Sequence, residues 1–245
     1  LRYAGESNMK VVGLEMGGKS PFIVLDDAVL DDDMIENAAM SAFWNGGQNC
    51  SANMRQLEHR DIAEEYAERV VARARQFVIG NPLDPATTMP AMVTAHHRDH
   101  VMSYINRGQV EGARLLFGGR PVAPPGTFIE PAVFTGLKPE MAIAREEIFG
   151  PVLGILPVAS LDEALAIAGD TDSGRRARVF TQDIKKGMRL ARATPAGTIS
   201  INAFSEGDIK TPFGGYKRSG SHARDNGTEA MEQYMQTKTI WIALK

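Results

Sequence analysis

The chain has a single cysteine, Cys50, among its 245 residues. One cysteine cannot form an intrachain disulfide, and it cannot supply the several thiolates of a typical structural zinc site. A lone cysteine is therefore either a small apolar residue of the core or a nucleophile. The residues around Cys50 have to distinguish these two roles.

Long apolar runs and clusters of one charge are also missing. No segment approaches the roughly 20 apolar residues that a membrane-spanning helix needs, and the amino terminus has no pattern of a signal peptide. The 27 basic and 30 acidic residues are scattered, without a basic stripe. We expect a cytoplasmic protein that binds neither membranes nor nucleic acid.

The apolar periodicity predicts an α/β fold. Helical spacing covers residues 31–43, 61–77, 95–111, 161–168 and 184–193, and Asp61 is a candidate cap of the second helix. Short apolar strands at residues 22–25, 115–117, 152–158, 178–181 and 198–202 are separated mainly by these helices. That alternation implies a parallel sheet covered by helices.

Both ends of the chain have strand-like patterns that stand apart. The sequence opens at Leu1, without methionine, and residues 10–14 already have the apolar pattern of a strand. We therefore expect a beginning cut into a larger protein. The strand predicted at residues 239–244 would have to pair with something outside the main domain.

Residues 13–20, GLEMGGKS, match the phosphate-loop pattern GxxxxGK[ST]. That loop works only where its glycine amides lead into a helix amino terminus, whose N–H groups hold phosphate. Here Pro21 and the strand-like sequence FIVL follow. The context therefore disfavours a nucleoside triphosphatase.

Five ordered motifs instead resemble those of the aldehyde dehydrogenases. Residues 14–21, LEMGGKSP, resemble the LELGGKSP motif of that family, and residues 47–52, GQNCSA, resemble its GQxCxA segment. The resemblance continues through EEIFGPV at residues 146–152, Asn202, and PFGGYKRSG at residues 212–220. Five matches in order over nearly the whole chain are a specific signal.

The resemblance implies an aldehyde dehydrogenase-like catalytic domain, with an open, mostly parallel sheet flanked by helices and a C-terminal oligomerisation strand. It divides the chain into residues 1–15, the last strand of a truncated dinucleotide-binding domain, residues 16–220, the cysteine-bearing catalytic domain, and residues 221–245, a helix and the oligomerisation strand. A homodimer or homotetramer is expected.

The activity that the resemblance implies is NAD(P)-dependent oxidation of an aldehyde to a carboxylic acid, through a cysteine thiohemiacetal and a thioester. Most of the site for NAD or NADP would lie upstream of Leu1, so we expect the chain alone to be inactive. Within the family, the sequence most resembles enzymes that oxidise amino- or glutamylamino-butyraldehydes.

Cys50 and Glu15 are the predicted catalytic residues. A glycine-rich turn offers backbone N–H groups that stabilise a thiolate and an oxyanion, which suits Cys50 as the nucleophile. Glu15 precedes a glycine pair; without the resemblance it would be a solvent-facing loop residue, and with it Glu15 is the general base that activates water.

The resemblance also assigns binding residues. Glu147 would accept hydrogen bonds from ribose hydroxyls, Phe149 would lie against the nicotinamide, and Gly17 would adjoin the cofactor. The predicted substrate-binding residues are Phe204, Glu206 and Phe213, and Glu206 with Asp208 would attract a substrate ammonium group or be solvated loop acids.

Other polar residues are given structural roles. His96 and His100 lie one helical turn apart, a spacing that can bind zinc, but no further ligand is near in sequence and a solvated helix face is favoured. Lys19 is interpreted as an exposed loop lysine, and Asn202 as a structural hydrogen-bonding residue.

Two departures from the family pattern concern packing. Residues 172–181, DSGRRARVFT, place three arginines where a Tyr-Gly-Leu-Ala-Ala-like run is usual, and Glu58 stands in a strand that is usually aliphatic. Two other functions remain open: a thiol hydrolase with Cys50 and a histidine base, and a non-catalytic, self-associating fragment. The reactivity of Cys50 separates the enzymes from the structural alternative.

Overall fold

The computed structural model describes residues 1–122, 126–204 and 207–245. The helices are α1 (Arg2–Glu6), α2 (Asp32–Phe43), α3 (Ala63–Ala74), α4 (Ala95–Val110), α5 (Ala142–Arg145), α6 (Leu161–Gly169), α7 (Ile184–Ala193) and α8 (Gly227–Glu232). The strands are β1 (Pro21–Val24), β2 (Arg55–His59), β3 (Arg114–Phe117), β4 (Ala132–Thr135), β5 (Val152–Val158), β6 (Ser173–Gly174), β7 (Arg176–Phe180), β8 (Thr198–Ile201) and β9 (Tyr216–Lys217).

The main sheet has the strand order β3-β4-β5-β2-β1-β7-β8. Neighbouring strands are parallel except β3 and β4, which are antiparallel. The separate pair of β6 and β9 is antiparallel. The predicted open, mostly parallel sheet is therefore confirmed.

Two apolar layers cover the sheet, because successive strand residues point to opposite faces. Phe22 and Val24 of β1 pack into a cluster with residues of α2 and α3, whereas Ile23 of β1 packs into a cluster with residues of α4 to α7. The central strands are buried on both faces, as parallel strands between helices should be.

Side-chain caps explain where most of the predicted helices begin. Asp31 accepts a hydrogen bond from the N–H of Met34, and Thr94, Ser160 and Asp183 cap their helices in the same way. Asp61 was the wrong cap for α3, which begins after Ile62 without a side-chain cap. The Asp61 carboxylate instead lies 3.5 Å from His59 Nδ1.

The strand predicted at residues 10–14 is wrong. These residues form no strand in the described structure, and Val11 is 98% exposed. Residues 239–244 likewise have no secondary structure within the single chain, and their large apolar side chains are exposed. A strand needs a hydrogen-bonded neighbour, and this chain supplies none at either place in the part described.

No helix among the described residues combines the length and the apolarity required to cross a membrane.

The register of the parallel strands brings distant segments together. Pro21 pairs with Arg55 and Arg55 with Gly154, while Phe22 pairs with Arg178. The segments that precede β1, β2, β5 and β7 therefore meet at the amino-terminal edge of the sheet. The predicted residues Glu15, Gly17, Cys50, Glu147 and Phe149 lie in these segments.

Candidate active site

Cys50 lies in the turn that connects α2 to β2. Asn45, Gly46 and Gly47 adopt left-handed φ values of 53°, 62° and 71°, which end the helix and reverse the chain before the cysteine. The side-chain oxygen of Asn49 accepts the N–H of Ser51 at 2.9 Å and so fixes the cysteine from both sides.

The Cys50 thiol is half-buried, and its Sγ lies 3.9 Å from Ser51 Oγ. Its own N–H has no hydrogen-bond partner within residues 1–122, 126–204 and 207–245. An unpaired backbone N–H beside a thiol is a donor of the kind that an oxyanion can accept.

The cysteine turn packs against the loop that contains Phe149. A Cβ on Gly47 would lie 2.4 Å from the carbonyl oxygen of Gly150, so the two backbones touch. Phe149 has a φ of 57°, a conformation that is unusual for a bulky residue and is often found at functional sites. His97 Nε2 donates to the Phe149 carbonyl at 2.6 Å and holds this loop.

Glu15 lies beside the cysteine turn, in a segment tied to residues 219–221. The N–H of Leu14 donates to Ser221 Oγ at 3.0 Å, and the N–H of Met16 donates to the Ser219 carbonyl at 2.9 Å. Backbone on both sides of Glu15 is thereby fixed, while 29% of its side chain remains exposed. Water can reach the carboxylate.

One guanidinium, that of Arg175, contacts both predicted catalytic residues. Arg175 Nη1 lies 2.5 Å from Glu15 Oε2, an ion pair without the alignment of a hydrogen bond, and Nη2 donates to Cys50 Sγ at 3.6 Å. The Arg175 side chain is only 1% exposed. The structure therefore brings Cys50 and Glu15 together, as predicted, through a residue that the sequence did not single out for the site.

Glu147 and Gly17 also meet. A Cβ on Gly17 would lie 1.8 Å from Glu147 Oε1, so the carboxylate occupies space that only a glycine leaves free. Burial raises the pKa of Glu147, an effect opposed by the Gly18 N–H and by Lys19. Glu147, Gly17, Gly18 and Lys19 line one side of a cavity of about 540 Å³.

Lys19 is not the exposed loop residue that was expected. It is 2% exposed, and its Nζ has no hydrogen-bond partner in the described part of the chain. Burial, with a contribution from the charge of Arg55, lowers the pKa of Lys19 from 10.5 to about 7. The cause is desolvation of the charged amine.

The two aromatic residues predicted to bind substrate are each covered by an arginine. The Arg175 guanidinium lies 3.9 Å from the ring centre of Phe213, and that of Arg178 lies 4.6 Å from the ring centre of Phe204. Glu206 falls outside the described residues. Asp208 Oδ1 accepts the N–H of Lys210 at 2.8 Å, which stabilises its own turn.

The histidines of α4 make structural contacts. His97 and His100 stack with ring centres 5.9 Å apart, and no metal-binding group of three or more ligating side chains occurs among the described residues. No histidine in the described part forms a hydrogen bond with Cys50 Sγ. Asn202 has the structural role expected, since its amide bonds both backbone groups of Thr181, at 3.0 and 2.8 Å.

The model of the aldehyde dehydrogenase family matches residues 1–240. The chain belongs to this family. An aminoacetaldehyde dehydrogenase of Pseudomonas aeruginosa is 42% identical over 242 residues, which are 99% of this chain and 48% of that protein. This chain thus spans about half the length of the curated relatives that it matches.

Solved structures of the family have the same fold. The crystal structure of an indole-3-acetaldehyde dehydrogenase in complex with NAD+ superposes with a TM-score of 0.95 at 43% identity, over 99% of this chain and 49% of that one. A γ-glutamyl-γ-aminobutyraldehyde dehydrogenase of Burkholderia cenocepacia gives 0.90 at 44% identity, over 95% of this chain and 47% of that one.

Proposed function

We propose that the whole protein oxidises an aldehyde to a carboxylic acid with NAD(P), and that Cys50 is the nucleophile and Glu15 the general base. The observation that carries this proposal is the convergence of Cys50 and Glu15, 35 positions apart in sequence, on one guanidinium at the amino-terminal edge of the sheet. A nucleophile and a base in one site suit acyl chemistry on the sulfur.

The residues support a balanced sequence of steps. The Cys50 thiolate adds to the aldehyde carbon, a C–S bond forms, and the carbonyl electron pair moves to oxygen near the Cys50 N–H. The nicotinamide, when bound, would supply the acceptor for the hydride. As the C–H electron pair leaves with the hydride, the oxyanion electron pair re-forms the C=O bond and Cys50 is left as a thioester. Glu15 then takes a proton from water, the water oxygen attacks the thioester carbon, and the C–S bond breaks to return the thiolate and release the acid.

The part of a dinucleotide site in this chain fits the cofactor. Glu147 presents a carboxylate, which can accept hydrogen bonds from two ribose hydroxyls, at the edge of the cavity described above. Gly17 leaves room for that carboxylate, and Phe149 presents a partly exposed ring from a constrained loop. These residues would hold the nicotinamide half.

The 245 residues alone are proposed not to oxidise aldehydes, because they correspond to about half of each relative. A cysteine and a base suffice for acyl transfer, whereas hydride transfer needs a fully bound dinucleotide. Cofactor-independent ester hydrolysis is therefore the half-reaction that this chain retains.

An amino-aldehyde is the proposed substrate class, in line with the names of two relatives, an aminoacetaldehyde and a γ-glutamyl-γ-aminobutyraldehyde dehydrogenase. The acid Asp208 lies in the loop that would face the aldehyde tail. Homo-oligomerisation is proposed through residues 239–244, whose exposed Ile240, Trp241 and Ile242 offer an apolar edge to a second copy.

The test is NADH formation by the whole protein with aminobutyraldehyde and with a neutral aldehyde of equal length, in the wild type and in Cys50→Ala. NADH and acid should appear in equal amounts in the wild type and be abolished in the variant. NADH formation by Cys50→Ala would refute the cysteine mechanism. If the wild type consumes neither aldehyde, the non-catalytic alternative is favoured.

A further inference from the structure

Arg175 occupies the centre of the site and is fixed there from three sides. Glu15 lies at one nitrogen, the Cys50 sulfur at another, and the Phe213 ring below the guanidinium plane, at 2.5, 3.6 and 3.9 Å. A nearly fully buried arginine with these contacts has little freedom to leave. Its charge therefore acts on both catalytic groups at once.

The effect on Cys50 favours attack. The thiolate is the nucleophile, and the Arg175 guanidinium, 3.6 Å from Sγ, interacts favourably with a negative charge there. The donor Nη2 points at Sγ, so the stabilisation is directional as well as electrostatic.

The effect on Glu15 opposes the later step. A general base must accept a proton from water, and the Glu15 carboxylate is held against the Arg175 guanidinium at 2.5 Å. The carboxylate must break this ion pair before the water can be deprotonated. Release of the acyl group should then be slower than its formation.

We infer that Arg175 is a positioning residue that accelerates acylation of Cys50 and restrains Glu15 in deacylation, so that the acyl-enzyme accumulates. This inference rests on the proposed roles of Cys50 and Glu15. It distinguishes Arg175 from Arg176, which contacts Ser200 and the Phe204 carbonyl instead. A leucine at position 175, as in the family's usual Tyr-Gly-Leu-Ala-Ala-like run, would exert neither effect.

The experiment is the pre-steady-state hydrolysis of p-nitrophenyl acetate by the whole protein, without cofactor. In the first step the thiolate attacks the ester carbonyl and p-nitrophenolate leaves, which gives a burst. In the second, water attacks the thioester with Glu15 as base, and acetate leaves, which sets the steady-state rate. The two rates report separately on the two proposed effects of Arg175.

In Arg175→Leu we expect the burst rate to fall by about tenfold and the steady-state rate to rise severalfold. The rate of Cys50 alkylation at a fixed pH should fall in the same variant. Arg73→Leu, which removes an arginine that pairs with Glu36 between α3 and α2, should leave both rates unchanged.

The outcomes separate this inference from the proposed function. A burst that survives Cys50→Ala would refute the nucleophile itself, whereas Glu15→Gln should preserve the burst and abolish the steady state. A wild type without a burst, or equal changes of both rates in Arg175→Leu, would overturn the role of Arg175 alone. If Arg175→Leu does not fold, Arg175→Lys tests the same role. A single ammonium group cannot contact both Glu15 and Cys50, so the ratio of burst rate to steady-state rate must fall.

Discussion

Gly47 faces the carbonyl oxygen of Gly150 so closely that a Cβ on Gly47 would lie 2.4 Å from it. This backbone contact, together with a φ of 71° at Gly47, joins the cysteine turn to the loop that contains Phe149. A shift of either backbone segment would move Cys50 or Phe149.

Gly47→Ala should therefore lower the free energy of unfolding by about 3 kcal/mol and slow the alkylation of Cys50. Gly136→Ala is the matched control, since Gly136 has a φ of 70° but nothing within 4 Å of its Cβ position. That control isolates the backbone strain, about 1 kcal/mol. Equal losses in the two variants, measured by urea unfolding, would show that the contact with Gly150 contributes nothing.

Glu58 is completely buried in β2, paired with Val24 and Pro157 of the neighbouring strands. Burial raises the pKa of Glu58 well above 4.5. Glu58 thus keeps its proton to a higher pH in the folded chain than in the unfolded chain. The unfolding free energy is highest below pH 4.5 and falls as the pH rises above 4.5.

Glu58→Gln removes this titration, so the variant should exceed the wild type in unfolding free energy clearly at pH 8 and by little at pH 4.5. Urea unfolding at both pH values measures the difference. The exposed Glu64→Gln should show no such pH dependence, and a Glu58→Gln gain that is the same at both pH values would contradict the raised pKa.

Local sequence signals predicted the helices, and the motifs predicted which residues would be at the site. Caps such as Asp31 and Thr94 act within four residues, so their effect can be predicted from the local sequence. Cys50 and Glu15 were found through the motifs around them. The parallel pairing of β1 with β2 then places the segments of both residues at one edge of the sheet.

The contact with Arg175 could not be predicted in the same way. Arg175 is 125 residues from Cys50, and its position depends on β7 pairing beside β1, a long-range property. Local pattern also failed for residues 10–14 and for β2, whose Arg55, Gln56 and Glu58 are buried although polar. In both places the neighbours of the strand, not its own composition, decide the structure.

Lys19 should give the opposite pH dependence to Glu58. The pKa of Lys19 is about 7 in the folded chain and 10.5 for an ordinary lysine in the unfolded chain. The unfolded chain therefore binds the proton more tightly, and the unfolding free energy rises as the pH increases from 7 to 10.5. Lys19→Met should raise the unfolding free energy by about 3 kcal/mol at pH 7 and by progressively less toward pH 10. The exposed Lys185→Met is the control, and a gain that grows with pH would show that the amine remains charged in the folded chain.

Gly17→Ala tests the pairing of Gly17 with Glu147 in cofactor binding. The added Cβ would lie 1.8 Å from Glu147 Oε1, and because this atom ends a flexible side chain, the carboxylate will rotate away while the fold persists. Affinity for NAD in the whole protein should fall about tenfold, the size of one hydrogen bond to a charged group, with Cys50 alkylation unchanged.

Calorimetric titration with NAD measures this loss, and Gly169→Ala, at a glycine with nothing within 4 Å of its Cβ position, is the control. Glu147→Gln should weaken binding to a similar extent. If both substitutions act on one interaction, the double variant Gly17→Ala/Glu147→Gln will bind no more weakly than Glu147→Gln alone. Additive losses would mean that Gly17 contacts the cofactor independently and that its closeness to Glu147 is only packing.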